Sequence, residues 1–491
     1  MFRHALGNAL GLAFNRQSQF VNRNSYWLAA ALLFSVATGL SAQDTHYWTH
    51  QYGARSGLMG GAVVAGCDDT GAGYYNPGRL GFISNPQLSA TADLYQLDVL
   101  SIPDGAGQGN NINSTQVRIV PLLASGIFLF EGAPRHAFGF NIISRQYWSA
   151  SGSARRKARE NVIADTRSPG DEDYRGQLNL DISLQEHWAG LSYACRFHRY
   201  LSFGVTHFGC VRLEDVGFQI TTRAVGAPAT LYGADNIINL NYYNVRTLWK
   251  LGMAFDIGWL KAGFTLTTPS ISLFGSGTVA GNNTIIDLDT DGDNNGESFA
   301  IDDRQENLSA QFRSPLSLAW GIEYTAPTYT RMSLTVEWFL PVGEYAVMRP
   351  NSNNAVVGIP ADFDSRKVFQ VLDQRRGALN VASAIQQKFT ESISGILSFR
   401  TDFTVNQEID TEGFKIGSTG WNLYHVATGL VFQSGRSEFS AGIQFSIGGG
   451  KFAQPVSFNN VSEQRGLVGG TEKVDQSYFS MALIVGYTYF F

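Results

Sequence analysis

The 491-residue sequence carries few charged residues, 16% of the total, and many aromatic residues, 13%. A soluble protein would contain about a quarter charged residues, whereas a membrane barrel needs few charges on its outer face and aromatic girdles at both interfaces. The formal net charge of −5 argues against a nucleic-acid partner. Three widely spaced cysteines, Cys67, Cys195 and Cys210, cannot all pair and show no metal-ligand spacing.

Residues 1–42 have the pattern of an export signal. Three arginines precede an apolar stretch, 27–40, and small residues around Ala42 offer a cleavage site. The apolar stretch is shorter than the roughly 20 residues that a transmembrane helix requires. No other apolar run of helix-spanning length occurs, so an exported protein embedded in a membrane would have to cross it as a closed barrel.

A glycine-rich segment, 52–86, follows the export signal and has neither a helical nor a strand period. Glycine costs conformational entropy unless close packing or a positive φ requires it. We therefore predict that 43–86 form a compact hatch inside a barrel built from 87–491. A glycine-rich surface loop is the alternative interpretation of this segment.

Asn76, Pro77 and Gly78 form a predicted turn within the hatch. Proline fixes φ, asparagine can bond to its own backbone, and glycine allows a positive φ. We expect this turn to hold the hatch against the barrel wall.

Four short motifs of the hatch carry a family resemblance: Gly53-Ala54-Arg55, Met59-Gly60-Gly61-Ala62, Asp68-Asp69 and Tyr74-Tyr75-Asn76-Pro77. Together they resemble the opening of the long-chain fatty-acid transporter (FadL-like) family of outer-membrane proteins. The best-known motif of that family is Asn-Pro-Ala, whose alanine is replaced here by Gly78. A second similar region lies within 375–403. The resemblance implies a 14-stranded barrel, plugged by its N-terminal segment, in the outer membrane of a Gram-negative bacterium.

From residue 87 onward, apolar and small polar residues alternate, which predicts antiparallel strands of an all-β fold. In one strand, Leu334 and Trp338 lie on the face opposite to Thr335. The second strand contains Pro121, which cannot donate a ladder hydrogen bond. We predict fourteen strands near 87–97, 116–130, 135–148, 182–195, 200–212, 245–257, 259–268, 312–325, 330–341, 377–387, 392–404, 423–433, 437–448 and 478–491.

The connections between these strands alternate strictly between short turns and long loops. This regularity is expected of a membrane barrel whose short turns face the periplasm and whose long loops face outward. The apolar face of each strand is accordingly predicted to contact lipid. The last strand ends in Phe491, which resembles the C-terminal assembly signal of bacterial outer-membrane barrels.

One long loop, 269–311, contains alternate aspartates followed by a glycine, which match the front half of a calcium-binding loop. The twelfth position is Ser298 rather than the usual glutamate, although Glu297 is adjacent. A structural calcium site and a solvated acidic tip are the two interpretations, and no other cofactor is predicted. The candidate ligands are Asp287, Asp289, Asp291 and Asp293.

Two further groups of residues are candidates for contact with a substrate. Glu323 and Glu337 fall on the predicted lumenal faces of neighbouring strands, where they either line a path or pair with the hatch and with each other. The second interpretation is favoured. The long loop 213–244 offers apolar side chains for a capture site that would bind a hydrophobic ligand: Leu231, Tyr232, Tyr242 and Tyr243.

No catalytic residues are predicted, because neither a Ser-His-Asp order nor a Gly-x-Ser-x-Gly elbow stands out. A barrel of eight strands is filled by its own side chains, and a barrel of 16–18 strands leaves an aqueous channel. A barrel of 14 strands therefore needs a plug. The first hypothesis is a monomeric transporter in the outer-membrane bilayer for passive uptake of hydrophobic molecules, such as long-chain fatty acids. The alternative is a PorV-like barrel that serves protein secretion or surface assembly.

Overall fold

The computed structural model describes most of the chain, namely residues 45–352, 356–357, 364–407, 409, 411, 413–415 and 420–491. The predicted export signal, 1–42, lies outside the described residues, as do 43 and 44 at the start of the predicted hatch. None of the helices in the described ranges has the length and apolar character needed to cross a membrane.

The described residues are almost entirely β-structure. The strands, in chain order, are β1 (Gln87–Ile102), β2 (Ile112–Leu129), β3 (His136–Glu160), β4 (Glu172–His198), β5 (Leu201–Val225), β6 (Leu231–Asp256), β7 (Leu260–Thr267), β8 (Ile271–Leu288), β9 (Glu297–Ser309), β10 (Ser317–Thr325), β11 (Thr330–Phe339), β12 (Val342–Met348), β13 (Val356–Val357), β14 (Val371–Arg375), β15 (Ala378–Lys388), β16 (Ile393–Asp402), β17 (Phe414–Lys415), β18 (Asn422–Ser434), β19 (Ser437–Ala453) and β20 (Lys473–Phe490). The helices are short: α1 (Ala72–Tyr75), α2 (Ser365–Val368) and two 3-10 turns, Pro77–Phe82 and Glu463–Arg465.

Fourteen of these strands form one closed antiparallel barrel, which confirms the predicted fold class. Each wall strand pairs with the next one along the chain, with β7 beside β10, β11 beside β15 and β16 beside β18. The ring closes between β1 and β20, where Gln87 lies opposite Phe490. Closure leaves no open sheet edge, as a barrel in hydrocarbon requires.

Within the membrane band, the wall has an apolar outer face and a polar inner face. On β11, the side chains of Leu334 and Trp338 are each 44% exposed on the outside, whereas Thr335 between them is 1% exposed and points inward. This orientation is the one expected of a lipid-facing barrel and the reverse of a soluble sandwich.

Strands β3 to β6 project well beyond the membrane band. They contain 25 to 27 residues each, whereas a spanning strand needs about 9–11. The sequence-based prediction placed their outer halves in loops, and that placement was wrong. The reason is visible on β4, where Tyr174, Leu178 and Leu180 are buried inside the projecting wall and the alternate polar residues face out.

The predicted loop 269–311 is also largely folded. Its strands β8 and β9 form a hairpin that continues the sheet outside the ring, because β8 pairs with the outer half of β6. Side chains from several outer segments fill the projecting half of the barrel and form an apolar core. The segment 454–472 contributes Val456, Phe458 and Leu467, all fully buried. We refer to this filled outer half as the cap.

Candidate functional site

The predicted hatch turn lies where it can fasten the N-terminal segment to the wall. The backbone N–H of Gly78 donates to the Asn76 side-chain oxygen at 3.0 Å. The Asn76 amide in turn donates to the carbonyl of Val64 at 2.8 Å and to the carbonyl of Met253 at 3.0 Å. A single buried asparagine therefore joins two parts of the hatch to strand β6.

Glycines in the wall make room for this turn. Gly204 on β5 lies opposite Gly252 on β6. A Cβ atom at Gly204 would come within 2.3 Å of the Pro77 carbonyl, and one at Gly252 within 2.2 Å of the Asn76 side-chain oxygen. Because only hydrogen atoms fit there, this glycine pair forms a seat for the hatch. A glycine on the lumenal face of an alternating strand is the sequence feature that could have predicted this seat.

An ionic network on Asp68 holds the hatch to the wall at a second place. The Asp68 carboxylate lies 2.7 Å from Arg79 of the hatch, 2.9 Å from Arg331 of β11 and 3.3 Å from Lys261 of β7. Burial alone would raise the pKa of Asp68, but these three cations hold that pKa well below its usual range. The carboxylate is therefore charged and bound on several sides.

The two predicted lumenal glutamates also have partners. Glu323 lies 2.9 Å from the ammonium of Lys261. Glu337 accepts a hydrogen bond from the Trp48 indole at 2.7 Å and another from Ser317 at 2.6 Å. Since Trp48 belongs to the hatch, the geometry favours pairing with the hatch over an open path lined with charge.

A small cavity lies between the hatch and the cap. Hatch residues Tyr47 and Tyr74 form one side of it, and its remaining lining includes six ionisable side chains: Arg145, Glu186, Arg246, Lys250, Glu337 and Arg375. The phenyl ring of Phe312 also lines the cavity. Three guanidinium groups surround this ring, those of Arg212, Arg246 and Arg375, at 4.0, 4.9 and 4.7 Å from its centroid. The centre of the lumen is therefore a charged layer between two better-packed regions.

Backbone pairing between β2 and β3 stops within the barrel wall. Strand β2 pairs with β1 as far out as Ile112, but its ladder with β3 ends at Leu123, opposite Ile143. Pro121 lies just beyond that end and has no N–H to leave unpaired. We define the wall seam as residues 112–122 of β2 together with the facing part of β3.

Hydrogen bonds that involve side chains, rather than a backbone-to-backbone ladder, bridge the wall seam. The Ser114 hydroxyl accepts from the backbone N–H of Ser151 at 3.1 Å, and the Gln116 amide donates to the Ser151 hydroxyl at 3.0 Å. Arg118 donates to the Ser149 hydroxyl at 3.2 Å. These exchangeable contacts would be easier to open than a continuous ladder, which needs several coupled hydrogen bonds to break at once.

The predicted capture residues are not brought together. They lie on strand β6 and not in a loop, so the predicted loop 213–244 is wrong. Tyr232 and Tyr242 point inward and are buried, whereas Leu231 and Tyr243 point outward and are exposed. Residues one or eleven apart on a strand take opposite faces because the side-chain period is two. A capture role for the inward pair stays a prediction.

The acidic segment forms a compact cluster with a different membership from the predicted one. One ligand oxygen from each of Asp289, Asp291, Asp293 and Glu297 lies within 4.8 Å of the others. The fourth predicted ligand, Asp287, instead lies 2.6 Å from the guanidinium of Arg167, which also pairs with Glu463. Burial and the neighbouring carboxylates raise the pKa of Glu297. The cluster therefore has the oxygen donors of a hard-cation site.

A closed 14-stranded barrel with an apolar outer belt and a hatch in its lumen defines a class of protein, the plugged outer-membrane barrels. Among solved structures, the FadL-like barrels have the same fold as this chain. It superposes on a Pseudomonas aeruginosa FadL homologue with a TM-score of 0.54 and 12% identity, over 92% of this chain and 99% of the other.

Two further matches are transporters by their descriptions. The Pseudomonas putida toluene transporter TodX gives a TM-score of 0.55 at 12% identity, with 90% and 99% of the two chains covered. The Ralstonia pickettii toluene transporter TbuX gives 0.50 at 11% identity, with 90% and 99% covered. No family model matches the sequence, and no curated protein matches it. At these identities the similarity establishes the fold.

Proposed function

We propose that this chain is a monomeric channel for the passive uptake of hydrophobic small molecules across the outer membrane of a Gram-negative bacterium. The fold supports this proposal, since similar barrels include a FadL homologue and two toluene transporters. The substrate range extends from aromatic hydrocarbons to long-chain fatty acids on that basis. No catalytic role is proposed.

The observation that carries the proposal is the wall seam beside a blocked lumen. The hatch fills the periplasmic half of the barrel, so a hydrophilic solute has no straight aqueous route. A hydrophobic solute has another option, because it is soluble in the bilayer and can leave sideways. The inner part of the seam reaches the lipid-facing band, as the exposed side chains of Val117 and Ile119 on β2 indicate. Its outer part, at Ser151, lies opposite Asp181 in the projecting half of the wall.

In the proposed route, a ligand enters through the apolar cap, passes the charged layer and leaves between β2 and β3. Opening requires that the hydrogen bonds of Ser114, Gln116 and Arg118 across the seam exchange their partners. A ligand shifts this equilibrium only if it binds the open state more tightly than the closed one.

A disulfide across the seam tests this route. Ser114→Cys with Ser151→Cys, in a Cys195→Ser background, would link β2 to β3 at their bridging contact. Oxidation is expected to reduce uptake of a labelled fatty acid and of toluene into proteoliposomes, and reduction is expected to restore it. Val99→Cys with Thr115→Cys is the matched control, because these residues already face each other in the continuous β1–β2 ladder.

Unchanged uptake by the oxidised Ser114–Ser151 pair would contradict a lateral exit. If the parent protein takes up neither probe but co-purifies with components of a secretion machine, the alternative of a barrel that serves secretion or surface assembly replaces the proposal.

A further inference from the structure

The outer surface of the projecting wall carries a group of basic side chains. Arg155 and Lys157 of β3 and Arg175 of β4 are exposed, and the side chain of Arg223 on β5 is 29% exposed. These side chains point away from the lumen, because neighbours on the same strands, such as Tyr174, are buried in the apolar core of the cap. We refer to the four residues as the basic patch.

Three of the four cationic residues lie in one row across the sheet. Lys157 is directly opposite Arg175, and Arg175 is directly opposite Arg223. Neighbouring strands are about 4.8 Å apart, so the backbone positions of this row span about 10 Å. Arg155 lies two residues before Lys157 on the same face of β3, about 6.8 Å away. Like charges directly opposite each other destabilise a sheet, so this register is costly unless an anion compensates it.

The protein itself supplies little compensation. The carboxylate of Asp235 lies 2.7 Å from the guanidinium of Arg223. Arg155, Lys157 and Arg175, in contrast, form no ion pair with any residue in the described part of the chain. The basic patch therefore keeps three uncompensated positive charges, on a chain whose formal net charge is −5.

Protection of an open sheet edge explains only part of the basic patch. The outer end of β3 pairs with β4 alone, and charged residues on such an edge prevent association with the edges of other sheets. This reason covers Arg155 and Lys157. It does not cover Arg175, because β4 is paired along both of its sides, with β3 and with β5. A row of cations across three strands instead provides a flat, multiply charged surface.

We propose that the basic patch binds an acidic polysaccharide, namely the anionic glycan of the lipopolysaccharide that covers the same outer membrane. The projecting wall stands above the lipid and within this coat, so the two meet there. A flat sheet face suits an extended chain, because its cations do not converge on one point as they would around a small anion. Each cation that contacts a polyanion releases counterions and adds to the affinity. This binding does not depend on transport through the lumen.

Biolayer interferometry with the detergent-purified protein tests the basic patch, at salt concentrations from about 50 to 200 mM. The probes are dextran sulfate and neutral dextran of the same length. We expect dextran sulfate to bind, with an affinity that falls as the salt concentration rises, and neutral dextran to remain unbound. Polysaccharide released from the lipopolysaccharide of the source bacterium should displace dextran sulfate, and should do so more effectively than a DNA duplex.

Lys157→Gln combined with Arg175→Gln removes two charges from the row. Its affinity for dextran sulfate should fall about 10- to 30-fold, and the slope of log affinity against log salt concentration should decrease by about two. The variant should fold, because it relieves the repulsion between opposed cations. Lys157→Glu, whose carboxylate can pair with Arg175, is a second variant that should weaken binding. Arg304→Gln combined with Lys451→Gln is the matched control, since it removes the same charge from exposed residues that already have acidic partners.

Three results would overturn the proposal. A parent protein that binds dextran sulfate no more tightly than neutral dextran has no affinity for polyanions. Equal losses of affinity in the patch variants and in the control variant would mean that net charge, and not the basic patch, attracts the polymer. Released polysaccharide that fails to displace dextran sulfate, or displaces it less effectively than a DNA duplex, would exclude the glycan of the cell surface as the ligand.

Discussion

The two halves of strand β4 differ in their surroundings, because the lower half faces lipid and the upper half faces water. In the membrane band, Leu191 is 73% exposed on the outside and Ser192 is buried inside. In the projecting half, Leu180 is buried inside and Asp181 is exposed outside. The alternation inverts along a single strand because lipid surrounds the lower half and water surrounds the upper half. The polarity of the outward side chains matches the surrounding solvent, and the polarity of the inward side chains matches the part of the chain that fills the lumen.

The two halves of the lumen differ accordingly. The hatch fills the lower half with glycine-rich backbone, so the wall there offers polar side chains and ion pairs such as those of Asp68. The cap fills the upper half with apolar side chains such as Phe458, so the wall there is apolar on the inside. The charged cavity lies where the two kinds of filling meet.

Removal of the hatch is the most drastic test of this division. A variant without residues 52–86 is expected to form a conducting pore, because the lower half would lose its filling while the 14-stranded wall remains. Conductance in planar bilayers measures the effect against the parent protein. A deletion variant that folds but remains as tight to small ions as the parent would mean that the cap alone seals the lumen.

Arginine on the outward face of β4 tests the inversion directly. Leu191→Arg places a charge in lipid and should cost about 2–4 kcal/mol near the mid-membrane. Gln177→Arg on the same face of the same strand meets water and should change stability by less than about 0.5 kcal/mol. Urea unfolding of both variants in lipid vesicles gives the two values. Equal costs would contradict the assignment of lipid and water to the two halves.

The hatch seat provides a smaller and more local test. Gly252→Val would place methyl groups against the Asn76 side chain, and such overpacking typically costs about 1–3 kcal/mol. Leu251→Val, on the lipid-facing side of the same strand, is the control. Limited proteolysis from the periplasmic side should cut the hatch faster in Gly252→Val alone. Equal protection in both variants would show that the seat does not hold the hatch.

All fourteen membrane-spanning segments were predictable from the sequence, because lipid imposes the same alternation on each of them. The outer halves of β3 to β6 were not, since they reverse the direction of that alternation and so do not match the pattern expected of a membrane-spanning strand. The side-chain cap that Asn76 forms was predictable because its chemistry is local, whereas Gly78 does not take the positive φ expected of it. The seat of the turn at Gly204 and Gly252 was not predictable, because it depends on which strands become neighbours.

The charged cavity depends even more strongly on long-range pairing. Arg145 enters the lumen only because the ladder with β4 skips it, and no pattern within β3 reveals where the skip falls. Phe312 was predicted to begin a strand, yet β10 begins at Ser317 and Phe312 instead lies among three guanidinium groups. Residues far apart in the sequence form this site, so single-strand patterns cannot assemble it.

The acidic cluster on the cap permits the mildest test of the comparison between the halves. We predict that calcium bound by Asp289, Asp291, Asp293 and Glu297 orders the segment 287–297 and protects it from protease. Asp289→Ala combined with Asp291→Ala should remove the protection, and Glu306→Ala, an exposed acidic control outside the cluster, should keep it.

Because burial and the neighbouring carboxylates raise the pKa of Glu297, its protonation competes with calcium at a higher pH than for an ordinary glutamate. Protection should therefore weaken as the pH falls through that raised pKa, while the hatch stays protected. A parent protein whose cleavage rate is the same with calcium and with a chelator would leave the cluster as a solvated acidic tip, and the cap would then be held by its apolar core and by the Arg167–Asp287 pair.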